Sequence, residues 1–444
     1  MTRTHKLVWN TGLALALNLV VRAAGALTFI AIARMGSSRD AGTFSLATGY
    51  LAVLTTLFVG LDDILVRESA RVREQTLPIL MTYSVIRFAL SIVAWLALLL
   101  ILIVLSLYSP NDLRVLTVIT GCILIDAFSA LGQSVLNAHN HFDGPLVAVT
   151  VGAAVKLGGA LFALSGHQSL MVLSWAWPLG SAFSAALLTG MLARHLRHLS
   201  SLARLHFDPG WARQLVRLVP AFSATSILSG LEYQLDVVLL SVLLSNEAVA
   251  WYSAAVTIMT VVVTVSQAYR MVLYPALVRA LTDRPTALRG LVGRSTLLMG
   301  GLALLAAAII TLIAPWLMDV LYAGRLVVAV PVLQVLIWNV VFLFLNVPLV
   351  RFLMASNGQS VVWRTLLASL TANVIANLLL IPRLGVMGSA YARLFSSSLF
   401  CGLIGWQVYR RLARGHLDQV SHSQPSVVGK KSGAELEPKA HGGE

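Results

Sequence analysis

Charged side chains inside long apolar segments are the residues of this sequence that could do chemistry. A charge at the centre of a bilayer costs about 2.5–3.5 kcal/mol, so it usually faces a bundle interior or a wet cavity. Three acids lie at such positions, namely Asp126, Glu232 and Asp236, with Asp62 and Asp63 nearer a segment end. Seven cations do so, namely Arg22, Arg87, Lys156, Arg270, Arg351, Arg364 and Arg393. The pattern predicts a polar interior with a net positive charge.

Polar side chains accompany these charges at helical spacing. Residues three or four apart share one face of a helix. The companions at these or adjacent positions are Asn18 before Arg22, Gln133 after Asp126, Tyr233 beside Glu232, Gln267 and Tyr274 around Arg270, and the pair Asn373 and Asn377. The spacing predicts a central polar surface, although Asn373 and Asn377 fit interhelical hydrogen bonds equally well.

Several of these charges also have a purely structural interpretation. Asp126 could form a buried ion pair with Lys156 or Arg22, and the spacing of Asp63 and Arg67 favours a salt bridge at a helix end. Arg351 and Arg364 are expected to reach the cytoplasmic headgroups. For Arg22, Lys156 and Arg270 a binding role is favoured, because a mid-bilayer cation without a ligand is hard to justify energetically.

The elements that must position these residues are transmembrane helices. The 444 residues are 58% apolar and only 11% charged, whereas soluble proteins have about 25% charged residues. Twelve nearly uncharged segments of spanning length lie between residues 9 and 409, and the breaks between them are too short for a catalytic domain. The sequence predicts an all-α polytopic membrane protein with about 12 transmembrane helices in two six-helix bundles.

The distribution of Lys and Arg predicts the orientation of these helices. Twenty flank one side and five the other, so both termini are expected in the cytoplasm. Most of the surplus of +14 is therefore topological, and nucleic acid is not an expected partner. We predict an N-terminal bundle (1–192), a cytoplasmic linker (193–214), a C-terminal bundle (215–409) and a disordered cytoplasmic tail (410–444). A weak repeat at an offset of 208 residues pairs Phe44 with Tyr252.

The sequence lacks the common motifs of energy-coupled or catalytic chemistry. There is no P-loop, GxSxG or HExxH, and the free pair Cys122 and Cys401 lies in apolar runs. His139 and His141 in NAHNHFDG have no third ligand in their turn, so no metal is expected. We expect no cofactor other than a coupling ion, H⁺ or Na⁺, held at Asp126, Glu232 or Asp236.

Several segments resemble a known family. They are IAIARMGSSRDAGTFSLA from Ile30, GLDDILVRESAR from Gly60, LDVVLLSVLLSNEAVAWYSAA from Leu235 and NLLLIPRLGVMGSAYARLFSS from Asn377. Together they are similar to Wzx-type polysaccharide or O-antigen flippases of the multidrug/oligosaccharidyl-lipid/polysaccharide (MOP) exporter superfamily. Ser389 departs slightly from this pattern, since Ala is usual there.

The resemblance implies a MATE-like V of two bundles in the bacterial inner membrane. Such a protein is not an enzyme but moves undecaprenyl-diphosphate-linked oligosaccharide from the cytoplasmic to the periplasmic leaflet by alternating access. We expect Arg22 and Arg270 to contact the diphosphate, followed by Arg87 and Lys156, with Arg393 also in the cavity. The sugar hydroxyls would meet Asn18, Gln133, Tyr233, Gln267, Tyr274, Asn373 and Asn377. Besides the lipid-linked glycan and membrane lipids, the expected partners are a polysaccharide polymerase and a chain-length regulator.

Two other functions remain open at this point. A MATE-like drug or cation antiporter would favour a cavity rich in acids, and a membrane polymerase or glycosyltransferase would need larger loops than these. The sequence does not specify the glycan repeat unit, the pathway (O-antigen, capsule or exopolysaccharide), the coupling ion or the oligomeric state.

Overall fold

The described part of the chain is built from helices. The computed structural model describes residues 3–71, 76–139, 141–197, 209–283 and 285–413. Within these ranges there is no β-strand, which confirms the all-α prediction. The helices are α1 (Arg3–Met35), α2 (Ser38–Thr56), α3 (Val59–Arg71), α4 (Thr76–Val104), α5 (Pro110–Thr120), α6 (Cys122–Ala138), α7 (Asp143–Ser165), α8 (Leu170–Ser174), α9 (Ala176–Arg197), α10 (Pro209–Leu243), α11 (Asn246–Asp283), α12 (Pro285–Tyr322), α13 (Ala329–Leu336), α14 (Asn339–Ala355), α15 (Gln359–Leu384) and α16 (Val386–Ala413).

These helices make a multi-pass membrane protein. Nine segments of the described chain are long and apolar enough to span a bilayer, and the pair α2 and α3, bent by 44°, makes a tenth. Three of the nine join two successive helices, such as α5 and α6 at Gly121. Helices α1 and α16, with 33 and 28 residues, are also long enough to cross but are not among these segments, so the number of about twelve spans stays a prediction.

Local sequence explains where the helices begin and end. Ser37 caps α2 and forms a capping box with Asp40, and Ser109 caps α5 ahead of Pro110. Gly385 separates α15 from α16 with φ 59°, a backbone conformation that favours glycine. These Ser, Pro and Gly residues therefore lie at the ends of helices.

The two halves of the chain, residues 3–197 and 209–413, meet along α2 and α11. The repeat partners Phe44 and Tyr252 are both buried on these helices, in the main hydrophobic core. The predicted linker and tail lie largely outside the described residues, so the proposed domain boundaries stay predictions.

The halves are joined by polar contacts at one end of the bundle, which we call the closed end. There the Arg325 guanidinium donates to the carbonyl of Gly36 (2.7 Å), and the Asn246 amide donates to the Thr43 hydroxyl (2.9 Å). A Cβ atom at Gly42 would collide with the backbone carbonyl of Asn246, so the helices approach as closely as glycine allows. This end carries the α1–α2, α10–α11 and α12–α13 turns and is the predicted periplasmic side.

Candidate functional site

A cavity of about 140 Å³ lies in the second half of the chain. Helices α10, α11, α14 and α16 form its walls, which include the apolar side chains of Val263, Leu343, Val347 and Phe400. Its polar lining consists of Glu232, Tyr233, Ser266, Arg270, Asn346, Arg351 and Ser397. Two arginines and one carboxylate therefore line one cavity, which matches the net positive interior predicted from the sequence.

The position of the lining residues along their helices shows where the cavity lies. Glu232 is eleven residues from the end of α10, or about 16 Å from the closed end at 1.5 Å per residue. Arg270 is 24 residues from the start of α11, or about 36 Å from the same end. The cavity therefore extends from mid-bundle toward the opposite end, which is the predicted cytoplasmic side.

Arg270 is the centre of a group of three cations. Arg351 of α14 lines the same cavity. Arg22 of α1 is exposed and does not line the cavity, but it lies close enough to influence Arg270 electrostatically. The Nε atom of Arg270 is buried and has no hydrogen-bond partner in the described residues. Within those residues, Arg22, Arg270 and Arg351 make no ion pair. This cation group is drawn from both halves of the chain, and the carboxylate of Glu232 lines the cavity with two of its members.

Arg393 and Asp236 form a second, buried charge cluster beside the cavity. Arg393 Nη1 lies 3.6 Å from Asp236 Oδ2, and the two side chains are 3% and 1% exposed. Asp236 also accepts hydrogen bonds from the Tyr252 hydroxyl (2.7 Å) and from the Asn377 amide (2.9 Å). Arg393 donates to the backbone carbonyl of Glu232. The predicted cavity residue Arg393 and the predicted coupling residue Asp236 thus neutralise each other.

Arg87 lies apart from the cavity, within the first half. It is 1% exposed and pairs with Asp62 (3.3 Å), donates to Ser91 Oγ (2.7 Å) and stacks on Phe58 (3.9 Å). Asp62 also accepts from the Tyr83 hydroxyl. Asp62 therefore neutralises the charge of Arg87 within the protein. The family resemblance had implied that Arg87 contacts the diphosphate.

Lys156 and Asp126 are likewise in the first half and do not line the cavity. The Lys156 ammonium lies 5.7 Å from the centre of the Trp177 ring. Both charges interact with the thiol of Cys122, but among the described residues no ion pair joins them to each other. The structural alternative of an Asp126–Lys156 salt bridge is therefore not what the structure has.

The predicted sugar-binding residues fall into three groups. Tyr233 lines the cavity, whereas Tyr274 is exposed and Gln133 is half-buried in α6. Asn373 and Asn377 are buried and bond to Ser396 and Asp236, the interhelical role that the sequence left open. The side chains of Asn18 and Gln267 lie outside what the structure describes.

Four polar residues of the cavity were missed by the sequence interpretation. Arg351 was assigned to the headgroups, yet it lines the cavity, whereas Arg364 is exposed beside Trp363 as expected. Ser266, Asn346 and Ser397 were not singled out. Ser397 lies one turn after Arg393, so its spacing offered a clue, but nothing in the sequence around Asn346 marks it.

Two predictions outside the cavity also meet new partners. The sequence favoured a salt bridge between Asp63 and Arg67. In the structure Arg67 forms a salt bridge with Glu68 (2.8 Å). His195 supplies a third histidine to the α6–α7 turn, since its Nε2 lies 2.7 Å from His139 Nδ1. Even so, no group of three or more His, Cys, Asp or Glu among the described residues has metal-site geometry.

Solved structures with the same architecture are multi-helix membrane transporters. A MATE family multidrug resistance transporter of the MOP superfamily, in an inward-facing conformation, has a TM-score of 0.72 at 14% identity, covering 90% of this chain and 95% of that one. The lipid II flippase MurJ, in an inward closed conformation, has a TM-score of 0.74 at 13% identity, covering 92% and 91%. A MOP superfamily transporter from Pyrococcus furiosus has a TM-score of 0.65 at 14% identity, covering 93% and 96%.

Sequence comparison adds the family. No curated protein sequence matches this chain. The sequence model of the family described as "Polysaccharide biosynthesis protein" matches residues 7–281, which is more than half of the chain. The chain therefore belongs to the polysaccharide biosynthesis protein family and has the fold of the MOP superfamily.

Proposed function

We propose that this protein is a flippase that carries an undecaprenyl-diphosphate-linked oligosaccharide across the bacterial inner membrane, from the cytoplasmic to the periplasmic leaflet. The observation that carries the proposal is a cavity on the predicted cytoplasmic side whose walls include Arg270 and Arg351, neither of which makes an ion pair among the described residues. Family membership and fold are consistent with it. A polysaccharide polymerase would then act on the delivered unit, and a chain-length regulator would act with it.

The charges of the cavity favour an anionic cargo. A diphosphate diester brings about two negative charges, which charge-assisted hydrogen bonds from guanidinium groups would neutralise. Arg270 and Arg351 line the cavity and supply two positive charges against one from Glu232, and the exposed Arg22 adds a third positive charge nearby. A cation or drug antiporter would need the opposite balance, so the MATE-like alternative is disfavoured.

The proposal is tested by removing the cavity arginines one at a time. Each charge-assisted hydrogen bond contributes about 1.5–3 kcal/mol, so Arg270→Ala or Arg351→Ala should weaken binding of the diphosphate by about 10- to 150-fold. The readout is export of surface polysaccharide in cells that depend on this protein, at matched protein levels in the membrane.

Arg364→Ala is the matched control, because Arg364 is an exposed arginine outside the cavity. Export should survive this change. Normal export from both cavity variants would refute the proposal.

Ion coupling is the finer part of the proposal, and we assign it to Glu232. Asp236 is neutralised by Arg393, and Asp126 lies away from the cavity, whereas Glu232 lines the cavity with the arginines. Transport in proteoliposomes should depend on a H⁺ or a Na⁺ gradient, and Glu232→Gln should abolish that dependence. An unchanged response to both gradients in Glu232→Gln would remove Glu232 from the coupling step.

A further inference from the structure

The cavity contains polar atoms that the cation group does not explain. Asn346 of α14 and Ser397 of α16 line it and are 8% and 2% exposed. Asn346 Oδ1 and Ser397 Oγ are buried, and neither has a hydrogen-bond partner in the described residues. A buried polar atom without a partner is destabilising, so such atoms in a cavity wall point to a ligand that bonds to them.

Resting on the proposed function, we propose that Asn346 and Ser397 form a subsite for the first sugar of the cargo, the one directly attached to the diphosphate. Arg270 and Arg351 line the same cavity, so a diphosphate held by them would bring its attached sugar to these two side chains. The Oδ1 atom of Asn346 accepts a hydrogen bond, which a sugar hydroxyl or acetamido N–H can donate. The Ser397 hydroxyl can accept or donate.

The size and the apolar lining of the cavity fit one sugar ring. Pockets that enclose drug-sized ligands have about 300–1,000 Å³, whereas this cavity has about 140 Å³. An oligosaccharide is too large for it, so the more distant sugars extend beyond the subsite. Phe400 and Val347 offer apolar surface for the C–H face of a ring. Selectivity would therefore apply to the first sugar and much less to the remainder of the repeat unit.

The subsite is tested by binding to the purified full-length protein in nanodiscs. The probes are farnesyl diphosphate and its conjugates with a single glucose, galactose or N-acetylglucosamine. We expect at least one conjugate to bind about tenfold more tightly than farnesyl diphosphate itself. Asn346→Leu and Ser397→Ala should each reduce this ratio toward one and leave the affinity for farnesyl diphosphate unchanged.

Asn339→Leu is the matched control. Asn339 is a buried asparagine on the same helix that does not line the cavity and donates to Met259 Sδ, so its loss should not change the ratio. This control also shows whether losing a buried asparagine from α14 perturbs the protein in general.

The outcomes separate the two proposals. If no probe binds, or if Arg270→Ala leaves binding of farnesyl diphosphate unchanged, the proposed function fails. If farnesyl diphosphate binds through the arginines but no conjugate binds more tightly, only the sugar subsite is overturned. The subsite is also overturned if the preference for a conjugate survives in Asn346→Leu and Ser397→Ala.

Discussion

The buried pair of Asp236 and Arg393 should contribute strongly to stability, and the two partners should not be equivalent. Arg393→Met leaves Asp236 buried with only the neutral donors Tyr252 and Asn377. Breaking a buried pair in this way costs about 3–5 kcal/mol. Asp236→Asn should lower the free energy of unfolding by less, about 1–3 kcal/mol, because the carboxylate of Glu232 still lies near Arg393.

The assay is equilibrium unfolding of the purified protein in mixed micelles at neutral pH. The double variant Asp236→Asn with Arg393→Met should be more stable than the sum of the two single changes predicts, because it leaves no uncompensated charge on this pair. Arg364→Met, at an exposed arginine, is the control and should change stability by less than about 0.5 kcal/mol.

Two results would refute this reasoning about the pair. One is a strictly additive double variant, which would mean that Asp236 and Arg393 do not interact. The other is an Arg393→Met protein as stable as the unmodified protein, which would mean that Asp236 does not need the cation.

Three further predictions concern the closed end and the first half. Gly42→Ala should separate the halves, because the added Cβ would collide with the Asn246 carbonyl. The distance between spin labels at Asn111 and Val327 should therefore increase. Gly25→Ala is the control, because a Cβ there meets open space, and it should leave that distance unchanged. Arg325→Ala removes one hydrogen bond of the closed end, so the same labels should show a larger minority of separated molecules, and no increase would contradict a role in closure. Arg87→Met should destabilise the protein by about 3–5 kcal/mol, since Asp62 loses its partner; a stable variant that fails to export would restore the diphosphate role predicted from sequence.

Much of the fold follows from sequence because lipid imposes simple rules on single segments. The length and apolarity of a segment determine where a span lies. The bent pair α2 and α3, for example, corresponds to a single span predicted from the sequence. The charge of Arg270 at bilayer depth was sufficient to place it at a polar site.

The partners of each charge could not be predicted, because they are set by contacts between distant segments. Arg87 meets Asp62 from 25 residues away, and Arg393 meets Asp236 across the second half. Helical spacing reports only which residues share a face. For the same reason the sequence predicted that Arg351 reaches the headgroups, and it did not indicate a site at Asn346. Both residues line the cavity that four helices form together.

The hydrogen bonds at the closed end affect the balance between closed and open arrangements of the two halves. Arg325–Gly36, Asn246–Thr43 and the hydroxyl pair of Tyr108 and Ser241 join the halves there. At about 1 kcal/mol each, these three hydrogen bonds add about 3 kcal/mol to the apolar packing between α2 and α11. Loss of all three would therefore raise the population of an open form by about 100-fold. A cargo inverts the populations only if it binds the open arrangement more tightly than the closed one by a factor larger than their resting ratio.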